Sequence, residues 1–211
     1  MPFQRFFRFL QSYSMRIIVG DARYFWRTRD RRAPHNLYTS TFLLQEAMKA
    51  RGEETYHWEY DLFRFGEPPE GTKASDIKIA YPGSYAVGYH YDATTRTYLH
   101  EMGGSPHVDR ISGVQLSPTT VMVLYVDYED LGIRDMAGEL SPDCRVVGSG
   151  DALVFCAGMV IPARWEREDI SRPILFSLQD GSEVAIPPGQ VWVHLVPKWL
   201  KVMYTERTEA G

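Results

Sequence analysis

Two His-x-Asp triplets, HYD at 90–92 and HVD at 107–109, carry the residue types in this 211-residue chain best suited to chemistry. On a β-strand side chains alternate between faces, so the imidazole and carboxylate of each triplet share one face. Two such strands paired in register would gather His90, Asp92, His107 and Asp109, a donor set that suits zinc or another borderline divalent ion. That gathering needs strand at both places, the right register and a common face, so the sequence favours no metal and no cofactor. The plainer reading puts His90 in a surface stripe and gives Asp92 and Asp109 to turns. Taken alone, His107 with Asp109 is the candidate catalytic pair, because a carboxylate can fix the tautomer of an imidazole. Residues two apart on one strand lie side by side, however, which is a poor geometry for that role.

No nucleophile motif accompanies these residues: the chain has no GxSxG elbow, no HExxH and no Walker loop. GSGD at 148–151 reads as a turn rather than a phosphate cradle, since the ALVFCAGMV that follows it reads as strand. RWERED at 164–169 sets Trp165 between two arginines. Ordinary packing of Arg on Trp is the first reading, and a ligand-stacking platform made by Arg164 and Trp165 is the second.

The elements that must position these groups begin with APHNLYTST at 33–41. Thr39, Ser40 or Thr41 can cap a helix over 41–51, a role worth roughly 0.5–2 kcal/mol. Leu43, Leu44, Ala47 and Met48 fall on one stripe of that helix, and Gly52 supplies its stop. His35, Asn36 and Tyr38 are not needed to start a helix. They join Asp92, Arg164 and Trp165 as candidate ligand-binding residues.

Past Gly52 the apolar period shortens to two, through TYHWEYDLFRF at 55–65, DIKIAY, YAVGYHYD, RTYLHEM, TTVMVLYVDY, DALVFCAGMVIPARW, PILFSL and QVWVHLVP. Short β-branched and aromatic runs without intervening helices predict antiparallel sheet. The expected fold is α+β and mainly β. An α/β remnant at 1–54 with one clear helix precedes an antiparallel sandwich or barrel-like domain at 55–200, and a polar tail at 201–211 frays. Asp92 is placed to bond the amides of an ATT turn, and QDGSEV at 179–184 carries the Asp-Gly pair of a hairpin.

Composition narrows the function classes. With 44% hydrophobic residues the chain can bury a core, and its formal charge of -4 gives no field toward nucleic acid. Two cysteines, Cys144 and Cys156, make neither a disulfide framework nor a CxxC site, although one bridge between strands is open to them in an oxidising compartment. No apolar run approaches the roughly 20 residues a membrane span needs. MPFQRFFRFL lacks a signal-peptide cleavage site; its apolar residues Phe3, Phe6, Phe7 and Leu10 read as packing on a neighbouring domain before they read as a membrane-surface helix.

Taken in order, RRAPHNLYTST, YAVGYHYD, GGSPHVDRISG, TTVMVLYVDY, GSGDALVFCAGMVIPARWER and GSEVAIPPGQVWVHLVP resemble the YerB-like family of bacterial lipoproteins, whose domain is of unknown function. The resemblance runs from about Asp21 to Pro197. It implies an extracytoplasmic, envelope-associated role for the intact protein and establishes no catalytic residue. This chain as given shows neither the lipid-attachment cysteine nor most of the N-terminal α/β portion that the family pattern implies, so it reads as a truncated product, a gene fragment or a mis-called start, with no export signal as written. On that reading APHN lies at the seam of the two portions, and exposed Ile17, Ile18 and Val19 favour self-association.

Two functions are weighed. The first is a non-catalytic binding or scaffold protein of the cell envelope, with an envelope protein or cell-wall glycan as partner, no nucleic acid, and a membrane reached only through a lipid anchor absent from this chain. The alternative is a cell-wall-directed hydrolase, metal-dependent or not, using His107 and Asp109.

Overall fold

The computed structural model describes residues 21–33, 35–50, 52, 62–134 and 140–205. The aromatic face of residues 3–10, the apolar 17–19, Pro34, most of the expected strand at 55–65 and the end of the polar tail lie outside the described residues. The chain divides into two compact units, Met1–Glu59 and Tyr60–Gly211.

In the first unit β1 (Trp26–Arg27) pairs antiparallel with β2 (Leu37–Tyr38), and α1 (Thr41–Lys49) follows. Of the three hydroxyl residues at the helix start, Ser40 is the cap: its backbone is extended and its Oγ accepts from the Leu43 amide at 3.2 Å. Thr39 instead donates its hydroxyl to the Tyr24 carbonyl at 2.7 Å, tying the helix start to the preceding loop. The apolar stripe buries Leu44 and Ala47 against Tyr24, Phe25 and Met48. At the other end Gly52 adopts φ +73° and donates to the Lys49 carbonyl, the left-handed stop that glycine makes cheaply.

The second unit holds β3 (Arg64–Phe65), β4 (Thr72–Lys73), β5 (Asp76–Ile79), β6 (Val87–Asp92), β7 (Thr97–Met102), β8 (Ser105–Pro106) and β9 (Thr120–Arg134). It continues through β10 (Leu140–Arg145), β11 (Gly148–Cys156), β12 (Met159–Arg167), β13 (Leu175–Ser177), β14 (Ala185–Ile186), β15 (Val191–Pro197) and β16 (Val202–Thr205). One sheet runs β16-β5-β6-β7-β8; a larger one runs β10-β9-β11-β12-β13, with β15 beside β9 and β4 beside β12. Among the described residues the fold is mainly β with one α-helix, and neither path of strands closes into a barrel.

The two sheets share a core. Ile77, Ile79, Val87, Tyr89 and Tyr98 of the smaller sheet pack with Val121, Val123, Phe155, Val160 and Val196 of the larger. The opposite face of the larger sheet buries Met122, Leu124, Val154, Ile161 and Trp165 under Phe63, Phe176, Val184 and Ile186. The start of β9 is thus covered on both faces, which is why VMVL at 121–124 is apolar at consecutive positions instead of alternate ones.

Several expectations need correction. The sheet is not wholly antiparallel: β15 lies parallel to β9, Val191 opposite Thr120 through Pro197 opposite Val126. GSGD is not a turn but the beginning of β11, because Gly150 sits where a Cβ would meet Trp165 Nε1 at 2.5 Å and the Tyr125 carbonyl at 2.7 Å. Residues 202–205 do not fray as part of a tail; they form β16, which pairs with β5 from Val202–Ile79 to Thr205–Asp76. Cys144 and Cys156 are free thiols. The Asp-Gly hairpin forms as the sequence predicts, with Asp180 accepting from the Ser182 amide and hydroxyl and Ser177 bridged to Glu183.

Candidate functional site

The most concentrated chemistry in the second unit lies where β6, β7 and β15 meet the loop after β8. Tyr89 on β6 faces His100 on β7, their rings 4.7 Å apart, because the register pairs these two positions. Across the core the Tyr89 hydroxyl lies 2.7 Å from His194 Nε2 on β15. Trp192, two residues earlier on the same face of β15, stacks on His100 at 4.6 Å and 20°. His107 completes the string, its Nδ1 2.9 Å from His100 Nδ1. Two further hydroxyls, those of Tyr81 and Tyr128, both donate to the Leu195 carbonyl, at 3.0 and 3.1 Å.

The backbone holds this geometry. The His107 amide donates to the His100 carbonyl, which also accepts from Gln115 Nε2, while the Leu116 amide donates to the His107 carbonyl. His100 is 2% exposed, and its Nε2 has no hydrogen-bond partner among the described residues. Burial, and then the neighbouring His107, push the His100 imidazole down to about 4; burial, and then His100, do the same to His194. Burial pushes Tyr81 up to about 12 and holds the Tyr89 phenol far above its ordinary range. His100 and His194 are therefore neutral rings at pH 7, beside a protonated Tyr89. Two Nδ1 atoms at hydrogen-bond distance share one proton, so only one of the pair donates.

Of the candidate catalytic pair, then, His107 is bonded to a second histidine. Asp109 serves its own turn: its Oδ1 accepts from the Ile111 amide, the Ser112 amide and the Ser112 hydroxyl. The backbone closes the same loop through Asp109 to Val114 and Gly113 to Asp109. HVD is not a strand, so the same-face argument that joined His107 to Asp109 does not apply.

His90 lies on the other face of the small sheet, opposite Leu99, with the buried Tyr89 pointing inward beside it. Its Nδ1 is hydrogen-bonded to Asp76 Oδ1 on β5, and its Nε2 stands 3.4 Å from Glu101 Oε2 on β7. Asp92 caps the turn as expected, Oδ1 accepting from the Thr94 amide and Oδ2 from the Thr95 hydroxyl. His90 thus lies on the outer face of the small sheet, whereas His107, in the loop after β8, reaches His100 on the inner side. Among the described residues no group of three or more His, Cys, Asp or Glu is placed to hold a metal ion.

The remaining candidates scatter. In the first unit His35 is exposed, and Asn36 ties the loop together, donating to the Thr28 carbonyl at 2.9 Å and accepting from Arg27 at 2.6 Å. Tyr38 stacks on Trp26 at 6.3 Å. In the second unit Arg164 is exposed beside Asp151 at 3.6 Å. Trp165 is only 2% exposed and donates Nε1–H to the Tyr125 carbonyl at 3.0 Å, so it offers no face to a ligand. Its place in the alternation of β12, in phase with buried Ile161 and Ala163, is the signal that it points inward. Asp76, Tyr89, His100, Glu101, Trp192 and His194 were not singled out by sequence, since each sits alone among apolar or common surface residues.

Residues 77–193 match the C-terminal domain of DUF3048, a protein of unknown function. The chain is 24% identical over 181 residues to "Putative lipoprotein YerB" of Bacillus subtilis (strain 168), a match that covers 84% of this chain and 52% of that protein. The crystal structure of YerB from Bacillus subtilis shares the fold, with a TM-score of 0.68 at 22% identity over 87% of this chain and 60% of that one. The chain thus spans about half the length of the curated relative it matches.

Proposed function

The chain belongs to the family defined by the DUF3048 C-terminal domain, and from that membership and the site geometry we propose a non-catalytic, envelope-associated binding protein. The relative's name as a lipoprotein supports the envelope location. The observation that carries the binding role is the loop between His107 and Leu116. Val108, Ile111 and Val114 are 47%, 93% and 63% exposed on a turn whose amides are satisfied internally by Asp109 and Ser112. A loop that is already ordered loses little conformational entropy on docking, and its apolar tip gains from burial, the combination expected of a contact element for a protein partner.

The hydrolase alternative loses its assembled pair, because neither the His107 bond to His100 nor the Asp109 bonds to its turn join the two residues. A photo-crosslinking amino acid placed at Ile111 in the full chain, expressed in the organism that encodes it, tests the proposal. A discrete adduct in the envelope fraction, lost on Val114→Asp, supports it. Recovery of the protein in the cytosol without adduct, or turnover of cell-wall fragments by the purified chain, refutes it.

A further inference from the structure

We propose that His90 Nε2 and Glu101 Oε2 together bind a divalent transition-metal ion on the outer face of the small sheet, with Asp76 as the residue that orients the imidazole. The inference is independent of the binding role proposed above.

Three adjacent strands bring the groups together. Asp76 on β5 and His90 on β6 are direct cross-strand partners, and Glu101 on β7 is set one step along the same face, opposite Gly88. Asp76 engages Nδ1, so Nε2 is the ring nitrogen turned toward Glu101 and solvent, the atom through which an imidazole held at Nδ1 ligates a metal. This is the arrangement in which a second carboxylate fixes the tautomer and rotation of a metal-bound histidine.

The free nitrogen has a suitable companion. Two ligand atoms each about 2.0–2.1 Å from zinc and at the tetrahedral angle lie about 3.3 Å from one another. His90 Nε2 and Glu101 Oε2 are 3.4 Å apart, beyond the usual N–H···O length of about 2.7–3.2 Å. That is long for a hydrogen bond and right for two donors to one ion. The side chains of His90 and Glu101 are 41% and 30% exposed, so solvent can fill the remaining coordination positions. An imidazole and a carboxylate suit a borderline ion such as Zn²⁺ better than Ca²⁺, which prefers oxygen donors throughout. The other charged groups on this face are Lys78, in register with Gly88, and Asp92, whose carboxylate is held by its turn.

Calorimetric titration of the metal-free full chain with Zn²⁺ should give one saturable site. His90→Ala and Glu101→Gln should each abolish it, Asp76→Asn should weaken it about 10–100-fold, and His107→Ala should leave it unchanged. Imidazole ¹⁵N spectra of the unmodified chain give a readout that depends on no variant: Zn²⁺ should move the His90 Nε2 signal and leave those of His100 and His107 in place. Absence of a saturable site, retention of it in a folded His90→Ala protein, or movement of the His107 signal in place of the His90 signal would each overturn the assignment.

Discussion

The Tyr89 hydroxyl and His194 Nε2 lie 2.7 Å apart between the two sheets, a polar bond closed inside the core. His194 is 8% exposed and Tyr89 fully buried. Neither group can turn to water if the other is removed. Tyr89→Phe keeps the ring and its contact with His100 but strands the imidazole nitrogen, so it should cost about 1–3 kcal/mol in urea unfolding with the m-value unchanged. A loss below a few tenths of a kcal/mol would mean that His194 finds another partner.

The same burial makes the protein acid-sensitive. His100 and His194 are pushed down to about 4 in the fold, whereas an unfolded histidine titrates near about 6.5. Between these values the unfolded chain binds protons that the folded chain refuses. Stability contributed by the neutral imidazoles is therefore complete above about pH 6.5 and drains away as pH falls toward 4, by at most about 1.4 kcal/mol per pH unit for each ring. Asp92 and Asp109 are held below the ordinary carboxylate range by their turn hydrogen bonds, so their losses belong to lower pH. Urea midpoints measured from pH 7 to 4.5 should show the slope, and the double variant Tyr89→Phe/His194→Leu should reduce it by about half.

Much of this architecture was legible because burial imposes a period. The stripe Leu44–Ala47 with its Ser40 cap, the turn made by Asp92 and the Asp180–Gly181 hairpin follow from local rules that operate within a few residues. Residues 202–205 and the parallel β15 were hidden for a different reason: their partners, β5 and β9, are more than 60 residues away, and no local pattern names a distant neighbour. The site suffered the same fate. His100 and His194 each stand alone in an apolar strand, and only the register of β6 with β7 and the passage of β15 across them put both beside Tyr89. His107 and Asp109 misled because the His-x-Asp spacing implies a shared face only on a strand, and the chain at 107–113 is a loop.

That loop offers the sharpest separation of a structural aspartate from a catalytic one. Asp109 Oδ1 accepts three hydrogen bonds from Ile111 and Ser112, while His107 is held by the His100 ring and by backbone bonds to His100 and Leu116. Asp109→Ala removes the three acceptor contacts and leaves the histidine anchors intact. Amide hydrogen exchange at Ile111 and Ser112 should accelerate on the order of tenfold, while exchange at His107 and Leu116 and the imidazole signals of His100 and His107 stay as they are. Were Asp109 instead the group that orients His107, the imidazole signals would shift and the loop amides would not, because the carboxylate's work would lie on the ring and not in the turn.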